Sequence, residues 1–187
     1  MATRVLASLL ALLLVAGCNQ AVSSATTGTP SATAVPGAKS HDEFVTAACA
    51  AFDATGAAIG NPDAGTGSEL SKKLDDAVGS GDVATANRLA DESIAKLEEG
   101  RRQLAIAGGW GPASAMAVAA DRFFVASEVL VNGKRAGAAG HDLKAGQLAF
   151  EKAGGVEAWQ GMITAAGSIQ LPAGTSPKRC PNAAIQL

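Results

Sequence analysis

Beyond residue 40, apolar residues return every three or four positions, the period of a helix with one buried face. Val45, Cys49, Phe52, Gly56 and Ile59 follow it, with Phe44, Ala48 and Ala51 alongside, and predict a first helix over 41–59. Ser40-His41-Asp42-Glu43 has the form of a capping box at its start. Gly60-Asn61-Pro62 ends it, because proline pushes the preceding residue out of helical geometry. A second helix is predicted in two parts. The first, 68–78, is short and charged, with Glu69 four residues before Lys73. Gly79-Ser80-Gly81 breaks it, and Asp82 caps a longer run to Ala107. The apolar stripe there is Val83, Ala86, Ala90, Ile94, Leu97 and Leu104, with Glu92/Lys96 and Glu98/Arg102 as pairs on the solvated side. A third helix begins at Pro112, carries Met116, Ala120, Phe123, Ser127 and Leu130 on one face, and ends at Asn132-Gly133 or Gly137. A fourth begins near Asp142, with Ala145, Leu148, Ala149, Ala153, Val156, Trp159 and Ile163 inward and Gly154-Gly155 thinning it. Residues 167–187 have little helical pattern, and no strand-like alternation of any length occurs.

Helices joined by short connections pack as antiparallel neighbours. The expected fold is therefore all-α: an up-down four-helix bundle over 40–187 with an irregular C-terminal tail. A tetratricopeptide-like hairpin is the runner-up, suggested by Gly79 to Leu97. A repeat of about 34 residues, which that fold needs, is missing.

The first residues follow a different rule. Arg4 is followed by an uncharged apolar run, Val5 to Ala16. The run is shorter than the roughly 20 residues that span a bilayer as a helix. A basic residue, a short apolar run and then small residues read as an export signal. Val15-Ala16-Gly17-Cys18 closely resembles the lipobox of bacterial lipoproteins. The resemblance covers residues 1–18. It implies cleavage before Cys18 and attachment of a diacylglycerol to its thiol, so 1–17 is a signal peptide and Cys18 the lipid anchor. Each buried methylene contributes about 0.8 kcal/mol, so two or more chains give a durable anchor. Asn19 in place of aspartate favours the outer membrane where a cell has two. The alternatives are an ordinary secretory signal and an uncleaved anchor. Residues 18–39 form the lipidated cysteine and a tether rich in Ser, Thr, Ala, Gly and Pro, too polar to pack. A flexible chain of that length reaches about 25 Å.

With Cys18 lipidated, Cys49 and Cys180 are left, and in an oxidising compartment an even pair usually bridges. A Cys49–Cys180 disulfide would close a long loop and staple the tail across the first helix. The chain-entropy estimate for such a loop is about 4–5 kcal/mol. Net charge is −2, with no basic stripe, so nucleic acid is not an expected partner.

Little else points to chemistry. The two histidines, His41 and His141, each precede an aspartate at a predicted helix start. Two such pairs brought together would be a weak metal site; as surface caps they need no ion. There is no H-E-x-x-H, E-x-x-H, C-x-x-C or C-x-x-C-H motif. Gly79-Ser80-Gly81-Asp82-Val83-Ala84 matches G-x-G-x-x-A, but it follows a helix where a dinucleotide site needs a strand. Asp75-Asp76, Asp91-Glu92 and Glu98-Glu99 are neighbours that diverge around a helix, and Arg101-Arg102 and Lys178-Arg179 read as solvated pairs. Trp110, in Gly-Gly-Trp-Gly-Pro, is the candidate partner surface, on the reading that its ring is exposed at a turn. Folding back over the bundle end is the alternative.

No cofactor and no catalytic residue are assigned. The expectation is a membrane-anchored cell-envelope lipoprotein. Its extracytoplasmic helical domain would be a non-enzymatic binding or interaction module, with a possible envelope protein partner. The alternative is an exported metal- or small-ligand-binding protein, or an enzyme, with a site assembled between helices. A cavity lined by Phe123 and Trp159 is one form of it.

Overall fold

A computed structural model describes residues 37–61, 65–180 and 185–187. The expected signal peptide, Cys18 and the tether up to residue 36 lie outside the described residues. The described chain is all-helical, with six α-helices: α1 (His41–Ile59), α2 (Glu69–Ser80), α3 (Val83–Ala107), α4 (Ser114–Gly137), α5 (Ala145–Lys152) and α6 (Gly155–Gly167). Short 3-10 turns, Gly111–Ala113 and Ala138–Gly140, lie on either side of α4.

Capping chemistry places the boundaries. The Ser40 hydroxyl accepts the Glu43 amide at 3.3 Å. The Glu43 carboxylate turns instead to the Lys39 amide, at 2.7 Å, so the box closes one residue early. Ser68 accepts the Ser71 amide at 2.9 Å and donates to the Ala58 carbonyl at 3.1 Å, tying the start of α2 to the end of α1. Asp82 accepts the Thr85 amide at 3.0 Å, and that bond holds its carboxyl below the usual range. Between α2 and α3, Gly81 has φ 73°, and the amides of Gly81 and Asp82 return to Val78 and Ala77. This left-handed cap reverses the chain and makes α2 and α3 a hairpin.

α3 is the central element. It runs antiparallel to α1, with Ala38 bonded to Ile106 and Gly100 beside Ala51. It runs antiparallel to α4, with Arg101 joined to Asp121 at 2.9 Å and Arg135 joined to Asp91. α5 and α6 pack on the far side of α4. Phe44, Leu74, Leu97, Met116, Phe123, Phe124 and Met162 fill the core.

Three expectations change. The fourth predicted helix is two helices, because Gly154 adopts φ 71° and restarts the helical phase. Leu148, Val156 and Ile163, expected inward, are therefore 59, 44 and 39% exposed. Gly155, Met162 and Ala166 are buried in their place. Val83, expected in the α3 stripe, is exposed as well. Gly37 and Ala38, expected in the tether, are packed: Ala38 is buried, and the Gly37 and Gly109 backbones touch.

Where α5 crosses α4, Gly133 meets Gly146. A methyl at Gly133 would lie 2.8 Å from the Gly146 Cα and 3.0 Å from the Ala145 carbonyl. Backbone cannot yield as a side chain does. Overpacking of about 1–3 kcal/mol, less the roughly 1 kcal/mol by which helices prefer alanine, should make Gly133→Ala destabilising by up to about 2 kcal/mol in urea unfolding. Gly56 has open space around the same position, so Gly56→Ala should stabilise by about 0.5–1 kcal/mol.

Candidate functional site

The polar and aromatic side chains of interest gather where α1 begins and α3 ends. The tail folds back on this end. Lys178 and Leu187 exchange backbone hydrogen bonds of 2.6 and 2.8 Å, around an antiparallel bridge between Arg179 and Gln186. Cys180, Ile185 and Leu187 are buried in the core cluster. Cys180 is joined to Cys49 of α1, with Cα atoms 5.2 Å apart and a sequence separation of 131.

Two side chains of the first turn of α1 hold the same tail. Lys178 Nζ donates to Asp42 Oδ1 at 2.7 Å, and this cation holds the Asp42 carboxyl below its ordinary value. His41 is buried, and its Nε2 lies 3.3 Å from the Leu187 main-chain oxygen. That oxygen only accepts, so the contact places a proton on Nε2. Nδ1 is left without a hydrogen-bond partner, 3.9 Å from Asp42 Oδ1.

Trp110 is packed into this cluster. Its ring stacks on Phe44 at 5.0 Å and lies 5.4 Å from His41. Only 8% of it is exposed, so the expected exposed ring is corrected: it covers the end of the core. The glycines on either side let the chain double back, with Gly109 against Gly37. Beside the cluster, α1 and α3 enclose an open groove of about 570 Å³. Its floor is Ala38, Ala47 and Ile106, and Lys39, Asp42 and Glu43 edge it. Thr46 and Gln103 also line it, but their polar groups are engaged, with the Asp42 carbonyl and Glu99 respectively.

The two histidines are not brought together. His141 follows α4 with φ 55°, and its Nδ1 donates to the Gly79 carbonyl at 3.0 Å. That is the start of α3, whereas His41 lies at its end, and a 25-residue helix is about 37 Å long. They cannot share an ion. Among the described residues, no three His, Cys, Asp or Glu side chains are grouped as metal ligands would be. Phe123 and Trp159 pack on each other at 4.9 Å, so these rings fill space instead of lining a cavity.

The acidic and basic pairs resolve into ties between helices that sequence spacing did not reveal. Arg101 reaches both Asp121 and Glu128 of α4. Burial works against its charge, but the two carboxylates outweigh that and raise its pKa. Lys134 reaches Asp75 and Ser71 of α2 at 2.7 and 3.0 Å. Glu69–Lys73 forms as expected, at 2.7 Å. Glu92 pairs with Arg88, and Arg102 with Glu99, in place of the expected partners. The Gly79–Ala84 segment is the helix cap and turn already described.

Compared with known families, curated proteins and solved structures, the chain matches none. Among the described residues no helix is long and apolar enough to cross a membrane.

The tail clamp generates two expectations. Replacing both Cys49 and Cys180 with alanine should lower stability by about 2–5 kcal/mol, read by urea unfolding with and without reductant. Lys178→Met should speed hydrogen exchange at the Lys178 and Leu187 amides at neutral pH. Asp42 has a depressed pKa, so its pairing is present at neutral pH and lost as pH falls through a value below 3.8. The difference between wild type and variant should vanish there, and a difference unchanged at that acidity would remove Asp42 from the clamp.

Proposed function

We propose that the protein is a lipid-anchored lipoprotein of the bacterial cell envelope, with its helical domain outside the cytoplasm as a non-enzymatic binding module. The Cys49–Cys180 disulfide carries this reading. Stable disulfides belong to oxidising compartments, which is where the N-terminal export signal would deliver the chain. The lipobox-like Val15-Ala16-Gly17-Cys18 supplies the anchor, through acyl chains on Cys18. The domain works as an antiparallel bundle of four rods, with α1 and α2 sharing one rod and α5 and α6 another.

A second reading, an exported carrier of a small ligand, has one supporting feature. The groove between α1 and α3 is within the size range of small-molecule sites, roughly 300–1,000 Å³, and combines an apolar floor with a charged edge.

The test is metabolic labelling of the full chain in a bacterial host with an alkyne-tagged fatty acid. Wild type should take up label and sediment with membranes. Cys18→Ser should lose the label and move to the soluble exported fraction. A Cys18→Ser chain that stays labelled and membrane-bound would remove the anchor from the proposal. Crosslinking from intact membranes should then capture a protein only with the anchored form; a co-purifying small molecule without one would favour the carrier.

A further inference from the structure

Among the described residues, the outer face of α4 is uncovered by the other helices. Val118 is 61% exposed and Val125 43%, with Arg122 between them at helical spacing. On one side, α3 and α4 enclose a groove of about 510 Å³, floored by Ala105, Gly108 and Ala117. On the other, α4 and α6 enclose one of about 400 Å³ that includes Ala158 and Gly161. Asp121 and Arg122 border both grooves. The small side chains let another helix approach closely.

The charges on this face are unevenly matched. Arg101 lies between Asp121 and Glu128, one cation against two carboxylates. Asp121 is half exposed, and a carboxylate has acceptor sites beyond the one Arg101 uses. Arg122 makes no ion pair among the described residues. Asp121 thus keeps spare acceptor capacity beside an unpaired cation, with Glu157 also on the edge of the α4–α6 groove.

We propose that this face binds a second copy of the same chain, through a two-fold axis crossing α4 between Asp121 and Arg122. The order Val118-x-x-Asp121-Arg122-x-x-Val125 carries the argument. Read from the opposite end it presents valine, cation, anion, valine. In an antiparallel crossing centred there, Val118 of each copy meets Val125 of the other. Arg122 of each copy meets Asp121 of the other and takes up its spare acceptor capacity. Self-complementarity of this kind is what a two-fold interface requires. An apolar helix without charges would cover the valines alone, whereas a second α4 also brings both charges in the matching order.

The test uses the full chain carrying Cys18→Ser, so that an introduced cysteine is the one free thiol. Sedimentation should give a concentration-dependent dimer. Arg122→Glu and Val118→Asp should each weaken it by about tenfold or more, because like charges or a buried carboxylate then face each other. Both positions are exposed, so thermal unfolding at dilutions where every chain is monomeric should be unchanged and confirm that the variants fold. Mixed Val118→Cys and Val125→Cys chains should crosslink on oxidation several-fold faster than Val118→Cys chains alone. A chain that stays monomeric to about 1 mM, the weak end of specific association, would overturn the proposal. So would a dimer indifferent to Arg122→Glu, or equal crosslinking yields.

Discussion

At position 100, in the middle of α3, there is no side chain, and three helices meet in the space this leaves. A methyl there would lie 2.4 Å from the Phe124 ring of α4 and 3.1 Å from the Ala51 carbonyl of α1. Phe124 is fully buried because α3 admits its ring at this point. Leu97 and Leu104, one turn to either side, then reach the same core. Much of the interior is alanine, which offers little area for burial, so stability depends on how closely the helices approach. Gly100 and the Gly133–Gly146 crossing provide that approach. Glycine weakens a helix by roughly 1 kcal/mol, a cost accepted where a side chain would force neighbours apart.

The same economy shapes the end of the domain where α1 begins. Few large apolar residues remain there, and the chain brings in distant ones. Trp110 from the α3–α4 turn, Phe44 from α1 and Leu187 from the tail close the core around His41. The disulfide makes this arrangement durable. It ties a tail with little helical preference to α1 at the partly buried Cys49, limiting the freedom of the unfolded chain. The exposed Lys178–Asp42 pair orients the tail but adds little by itself, because water screens it. Gly37 lies at this end and lines the groove between α1 and α3. α4 presents its uncovered face along the side of the domain.

Much of the candidate site was legible only as residue types. Cys49 and Cys180 could be paired because, once Cys18 is assigned, no other cysteine is present. Trp110 stands out in the sequence, but both an exposed ring and one folded over the bundle end fit its setting. Its turn of small residues is equally suited to exposing a ring or to folding it inward, and Phe44 decides between them. The His-Asp pairs look alike in sequence yet do different work: His41 is buried against the tail, and His141 caps α2 from outside. Arg101 and Lys134 gave no sequence signal, because their carboxylate partners lie on other helices.

Periodicity, caps and composition by themselves determined the all-helical class and, to within a turn, where the first three predicted helices start, since these follow from local backbone preferences and hydrogen bonds within a turn or two. The resemblance around Cys18 was likewise local, four adjacent residues behind an apolar run. Tertiary structure alone decided which faces of α5 and α6 turn inward, because one left-handed glycine resets the helical phase and only packing against α4 selects the new one. It alone decided where the tail lies, how the charges pair between helices, and that Val118 and Val125 of α4 stay exposed. These depend on distances between residues remote in sequence, which a one-dimensional pattern does not carry.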